Sequence, residues 1–229
     1  MSQKARKISI EIKKVIEFNY LENLPNNYNS KDSKKYPLII FLHGAGERGN
    51  NLNKIKTHGI PMLMEKQSDI LKKYEFIAVS PQCPEGYHWD FLVEALEYFI
   101  KDYIKRINVD TKRIYLTGLS MGGYGTWSLA FQNLHVFAAI APICGGVGKN
   151  QNFSSIVHLP IWVFHGAKDT VVPLSASSEP VAKLNDLGAY IKFTVYPDLE
   201  HNSWTKTYEN PNFYKWLFSQ KNENFKFRE

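Results

Sequence analysis

Gly118-Leu119-Ser120-Met121-Gly122 constrains this chain more than any other stretch. An apolar run at 113–117 leads into it, and a helix-compatible run at 123–133 leaves it. A serine between two glycines at a strand-to-helix junction marks a turn too sharp for flanking side chains. Glycine removes the Cβ that would strike the neighbouring strand or helix. Such a turn lifts the serine hydroxyl above a sheet and aims the first N–H groups of the next helix at the same point. The pentapeptide alone is a weak signal, so its context decides its meaning.

That context is a series of continuous apolar runs at 37–42, 76–80, 113–117, 137–142, 161–165 and 191–196. Runs of this kind are the signature of strands buried on both faces. Residues 8–15 alternate in the β manner and 16–24 read as a hairpin partner, giving an N-terminal hairpin over about 7–24. Residues 25–36 are rich in Asn, Ser, Lys and Asp and read as a solvated loop. Residues 91–107 place Leu92, Ala95, Leu96, Phe99, Ile100 and Tyr103 on one helical face. A second helix is expected at 180–187, ended by Gly188. Alternating strands and helices predict a single α/β domain over 1–229, with a mostly parallel central sheet of about eight strands and helices on both faces. A polar tail is expected from about 219 to 229.

Charge and cysteine usage narrow the function classes. The net charge is +6, but the lysines are scattered and the longest basic groupings are pairs such as Lys34-Lys35. Nucleic-acid binders concentrate such charge on one face or tract, so no nucleic-acid partner is expected. No apolar run reaches the length of a membrane span, and no membrane partner is expected. The basic N-terminus leads into a strand-like segment, not an apolar signal core, which makes the cytoplasm the expected location. Cys83 and Cys144 form no C-x-x-C pair and end different predicted strands. Two other strands separate them, at about 5 Å per step, too far for a disulfide. Two free thiols fit a reducing compartment. The pattern calls for no metal and no cofactor, and assigns no oligomeric state.

In a doubly wound sheet the chemistry gathers above the carboxyl ends of the strands. The run at 161–165 is followed by His165-Gly166-Ala167-Lys168-Asp169, and the last run by His201. The order Ser120, Asp169, His201 suits a nucleophile, an acid and a base. A hydroxyl needs a base to take its proton, and a buried carboxylate fixes that base's tautomer and stabilises its cation. Asp198 stands as a rival acid, although after Pro197 it also reads as a turn residue. Asp110 lies at the opposite edge and reads as structural. His43 and His165 each precede glycine at a strand end and are expected to brace loops. An oxyanion would be met by the N–H of Met121 and by that of Ala45, with Gly46 as the alternative. Trp89 and Trp204 are expected in the substrate pocket and Trp127 in the core. Glu47 and Arg48 are expected to pair and brace the loop after His43. Residues 145–160 are short and polar, so no substantial cap domain is expected.

Six blocks in order carry a family resemblance: YPLIIFLHGAGERG, SPQCPEGYHW, VDTKRIYLTGLSMGGYGTW, FAAIAPICGG, FHGAKDTVVP and EHNSW. The chain resembles compact α/β-hydrolases of the phospholipase/carboxylesterase and dienelactone-hydrolase-like type. It is nearest to esterases related to polyhydroxybutyrate depolymerases, to feruloyl and acetyl-xylan esterases, and to the catalytic domain of prolyl-oligopeptidase-like enzymes. The resemblance implies an α/β-hydrolase fold and a serine carboxylesterase with Ser120, Asp169 and His201 as its triad. It implies short-chain or aromatic acyl esters, small or carbohydrate-linked, as substrates. Dienelactone hydrolases proper use a cysteine nucleophile, from which Ser120 departs. A peptidase or thioesterase with the same triad, or a binding module with the triad idle, are the alternatives.

Overall fold

The computed structural model describes residues 5, 7, 15–133 and 135–227. Seven strands form one sheet: β1 (Tyr20–Asn23), β2 (Tyr36–Leu42), β3 (Ile77–Pro81), β4 (Val109–Leu119), β5 (Ala139–Ile143), β6 (Ile161–Gly166) and β7 (Ile191–Tyr196). Their order is β1-β3-β2-β4-β5-β6-β7, with every pairing parallel except β1 against β3. The expected strand at 8–15, all but Val15, lies outside the described residues, and the expected hairpin with it. Tyr20–Asn23 pairs with β3, through Tyr20 opposite Pro81.

Seven helices pack on the sheet: α1 (Gly59–Glu65), α2 (Asp69–Lys72), α3 (Val93–Arg106), α4 (Met121–Gln132), α5 (Ser175–Asp186), α6 (Trp204–Tyr208) and α7 (Pro211–Ser219). The apolar strands require two covers because alternate side chains point to opposite faces. On β2, Leu38, Ile40 and Leu42 join one core with Leu96 and Ile100 of α3, Trp127 of α4 and Leu184 of α5. Ile39 and Phe41 join the other with Ile60 and Leu63 of α1 and Tyr208, Phe213 and Leu217 of α6 and α7. Trp127 is fully buried, as its position on α4 requires.

Two boundaries differ from expectation for physical reasons. α5 begins at Ser175, a full turn before the proline that was read as its start. Proline is favoured in a first turn, which drew the boundary to Pro180, but here it is tolerated inside. The polar tail is also anchored. Asn222 N–H donates to Lys112 O, Lys226 N–H donates to His135 O, and Phe225 and Phe227 pack against the first core. Between β5 and β6 the chain forms only a short 3-10 turn at Phe153–Ile156, so among the described residues no cap is inserted there over the strand ends. Among the described residues, no helix is long and apolar enough to cross a membrane.

Candidate active site

The elbow is built as its glycines demand. Ser120 has φ 53° and ψ −117°, a left-handed conformation that costs on the order of 1–3 kcal/mol for a residue with a Cβ. A Cβ at Gly122 would overlap the Leu42 carbonyl, and one at Gly118 the carbonyl of Gly122. The strained residue is locked from both sides. Its N–H donates to Ile143 O at 2.9 Å, and its carbonyl accepts from Gly123 and Tyr124.

Three side chains distant in sequence meet above the strand ends. His201 Nε2 lies 2.9 Å from Ser120 Oγ, and His201 Nδ1 lies 2.7 Å from Asp169 Oδ2. Asp169 follows β6, and its side chain is fully enclosed. Its Oδ1 accepts the N–H groups of Val171 and Val172, each at 2.9 Å. Burial alone would raise the carboxyl, but hydrogen bonds from His201, Val172 and Val171 outweigh it and hold the group below its ordinary value. Asp169 is therefore a carboxylate at neutral pH, as an acceptor for an imidazole N–H must be. The rival Asp198 is 87% exposed and faces Lys168, while Asp110 pairs with Arg113 at 2.6 Å.

Met121 is the first residue of α4, so its N–H has no partner within the helix. Ala45 opens a 3-10 turn, Ala45–Glu47, after β2. Ala45, Ser120 and Met121 line one cleft of about 660 Å³, within the size range of small-molecule sites. His43 holds this loop. Its Nδ1–H donates to Gly44 O at 2.6 Å and its Nε2 accepts the Cys83 N–H at 2.9 Å. Burial pushes its proton affinity down to about 4, with Arg48 adding to the fall against the Gly44 bond, so the ring is neutral. Arg48 does not pair with Glu47. It donates to the carbonyls of Ala45 and Tyr87, while Glu47 Oε2 lies 3.9 Å from His43 Nδ1.

Trp89 does not reach the cleft. It is 0% exposed, its ring packs on Gly125, and its Nε1–H donates to His43 O at 2.9 Å. An indole beside a strand end satisfies its N–H most cheaply by going under the loop, where it serves as a floor. Trp204 lies edge-on to His201, with ring centres 5.3 Å apart, and braces that ring outside the cleft lining. The cleft wall comes instead from Tyr124, Ser128, Phe131 and Gln132 of α4, with Asp90 opposite. Their spacing from Ser120 follows the helical repeat, a signal present in the sequence.

Cys144, Asp169 and His201 present donor atoms within 4.8 Å of one another, a set that suits a soft metal. The carboxylate is already saturated by N–H donors, and burial raises the Cys144 thiol to about 12. The residues therefore fit a proton relay better than a metal centre. Both cysteines are free and buried.

Comparison with known proteins agrees with this architecture. The profile of the dienelactone hydrolase family matches residues 78–221, more than half of the chain. A bifunctional acetylxylan esterase/xylanase from Neocallimastix patriciarum is 32% identical over 59% of this chain and 20% of its own length. A probable feruloyl esterase C from Aspergillus terreus is 27% identical over 72% of this chain and 59% of its own. The crystal structure of a thermostable esterase superposes with a TM-score of 0.79 at 34% identity, over 90% of this chain and 60% of that one. The chain thus spans less than two thirds of the length of each of these proteins.

Proposed function

Because the chain belongs to the dienelactone hydrolase family, we propose that it is a serine carboxylesterase working through an acyl-enzyme. The observation that carries this reading is the unbroken hydrogen-bonded series Ser120, His201, Asp169 at the rim of an uncapped cleft. His201 Nε2 takes the Ser120 proton as Oγ attacks an ester carbonyl. The N–H groups of Met121 and Ala45 receive the developing oxyanion, each worth roughly 2.7–4 kcal/mol of transition-state stabilisation. Asp169 stabilises the imidazolium, which protonates the departing alcohol. Water then repeats the sequence and frees the acid.

The substrate class follows from the cleft. Asp90, Ser128, Gln132 and Gln151 give it hydroxyl-seeking groups, and among the described residues no lysine or arginine lines it. Anionic carriers such as acyl-CoA would meet a carboxylate without a counter-charge. Neutral esters of short or aromatic acids, free or on carbohydrate, suit it better, in keeping with the acetylxylan and feruloyl esterase relatives. The open strand ends need no interfacial opening. One sheet between two cores supports a single hydrolase unit over 1–229, and two free thiols support a cytoplasmic setting.

The test is a panel of acetyl, butyryl, octanoyl and feruloyl esters beside acyl-CoA and chromogenic peptides, with fluorophosphonate labelling of Ser120. Turnover of neutral esters, labelling, and a roughly million-fold loss in Ser120→Ala are expected. Peptide or acyl-CoA rates above every ester would replace the esterase reading. A folded protein that neither labels nor turns over any substrate would make it a binding module.

A further inference from the structure

His165 is the penultimate residue of β6, four residues before Asp169, and is 0% exposed. Its Nε2 lies 2.9 Å from Val172 O and 3.2 Å from Asp169 Oδ2. A carbonyl only accepts, so Nε2 carries a proton and donates it to Val172 O, with the nitrogen standing close beside the carboxylate. Asp169 Oδ2 is the same oxygen that His201 Nδ1 uses. Two imidazole nitrogens therefore lie within 3.2 Å of one carboxylate oxygen.

The far side of His165 is held as firmly. Nδ1 lies 2.8 Å from Ser177 Oγ, and Ser177 Oγ lies 2.8 Å from Gly145 O. The hydroxyl has one proton for two acceptors, Gly145 O and the ring. If the carbonyl takes it, the ring carries protons on both nitrogens. If the ring takes it, Nε2 still keeps its own. Either assignment leaves Nε2 protonated beside Asp169. Gly145 in turn packs against Gly123 and Tyr124 at the start of α4, so the chain of contacts ties the acid to the elbow.

Resting on the esterase reading above, we propose that His165 is a positioning residue that sets how much of the Asp169 charge reaches His201. A polarised N–H 3.2 Å from Oδ2 offsets part of the charge on that oxygen and weakens its hold on the His201 Nδ1–H. Removing it returns the charge to His201 and favours the imidazolium. Other ionisable groups near the acid are Cys144 after β5 and Tyr124 on α4, both neutral hydrogen carriers raised by burial, and Lys168, which turns outward to Asp198. None of them replaces the His165 N–H beside Oδ2.

The test uses the full chain and three variants, His165→Leu, His165→Gln and Ser177→Ala, each checked for folding by thermal melting. The first readout is the low-field proton resonance of the His201–Asp169 bond followed against pH, which needs no turnover. The second is the acid limb of kcat/KM on a p-nitrophenyl ester. His165→Leu should move both transitions up by about half to one pH unit, with kcat lowered about tenfold and KM within twofold. His165→Gln keeps an N–H and should recover most of that displacement, and Ser177→Ala should give a smaller displacement in the same direction. If His165→Leu does not fold, Ser177→Ala against the parent decides the matter. Unmoved transitions in the folded variants, even with a lower kcat, overturn the proposal and leave His165 as packing. A displaced resonance in a protein without ester turnover would sink the esterase reading alone.

Discussion

Two loops of this molecule begin alike and do different work. His43-Gly44 follows β2 and His165-Gly166 closes β6, and both imidazoles are at most 1% exposed. His43 bonds only to backbone, through Gly44 O and the Cys83 N–H, and its neutral ring shapes a donor loop. His165 bonds to a hydroxyl and a carbonyl and lies 3.2 Å from a carboxylate. The same dipeptide becomes a scaffold in one place and a neighbour of the acid in the other. What a buried histidine does is decided by the partners that its burial forces on it.

The comparison can be broken at three points. The largest effect should come from the β6 loop, where Asp169→Ala should lower kcat by about ten thousand-fold with KM little changed. A loss under a hundred-fold would mean that the acid lies elsewhere, and Asp198→Ala would then be the variant to assay.

The next effect is on stability and belongs to His43. Its proton affinity in the folded state is depressed to about 4 from 6.5, so the unfolded chain binds the proton first as pH falls. Stability from this group is therefore complete above pH 6.5 and is lost on descending towards pH 4, by about 3 kcal/mol. Urea unfolding at pH 7 and pH 4 should show this loss in the parent and a smaller one in His43→Gln. Equal losses in the two proteins would remove His43 from its role as a neutral brace.

The smallest effect sharpens the role of the donor loop. A Cβ on Gly44 would lie 2.9 Å from Leu119 Cδ1 and 3.1 Å from Glu47 Oε2, which pushes the Ala45 amide off its line. Gly44→Ala should lower kcat by about thirty-fold while leaving fluorophosphonate labelling detectable. An unchanged kcat would move the second donor to Gly46 or beyond.

The strands and the three side chains that meet above their ends were legible because each is a local pattern. Apolar runs mark buried strands, and the glycines beside Ser120 are required by contacts that any elbow makes. The rest depended on direction. Trp89 is an aromatic next to a strand end, and nothing in the sequence says whether its ring faces the cleft or the core. The first turn of α5 was hidden by Pro180, and with it Ser177, the hydroxyl that holds His165. The tail read as polar and free, yet two backbone hydrogen bonds fasten it.

By itself the sequence determined the alternation of strands and helices, the strained turn at Ser120 and the chemical types of its companions, because those rest on spacing and on the sterics of single residues. Only the tertiary structure decided that Asp169 and not Asp198 meets His201, that Tyr124 and Asp90 line the cleft while Trp89 is buried beneath the loop after β2, and that a second imidazole lies beside Asp169. Those outcomes depend on which way a side chain points once two layers of helices have closed on the sheet, and no local pattern encodes that.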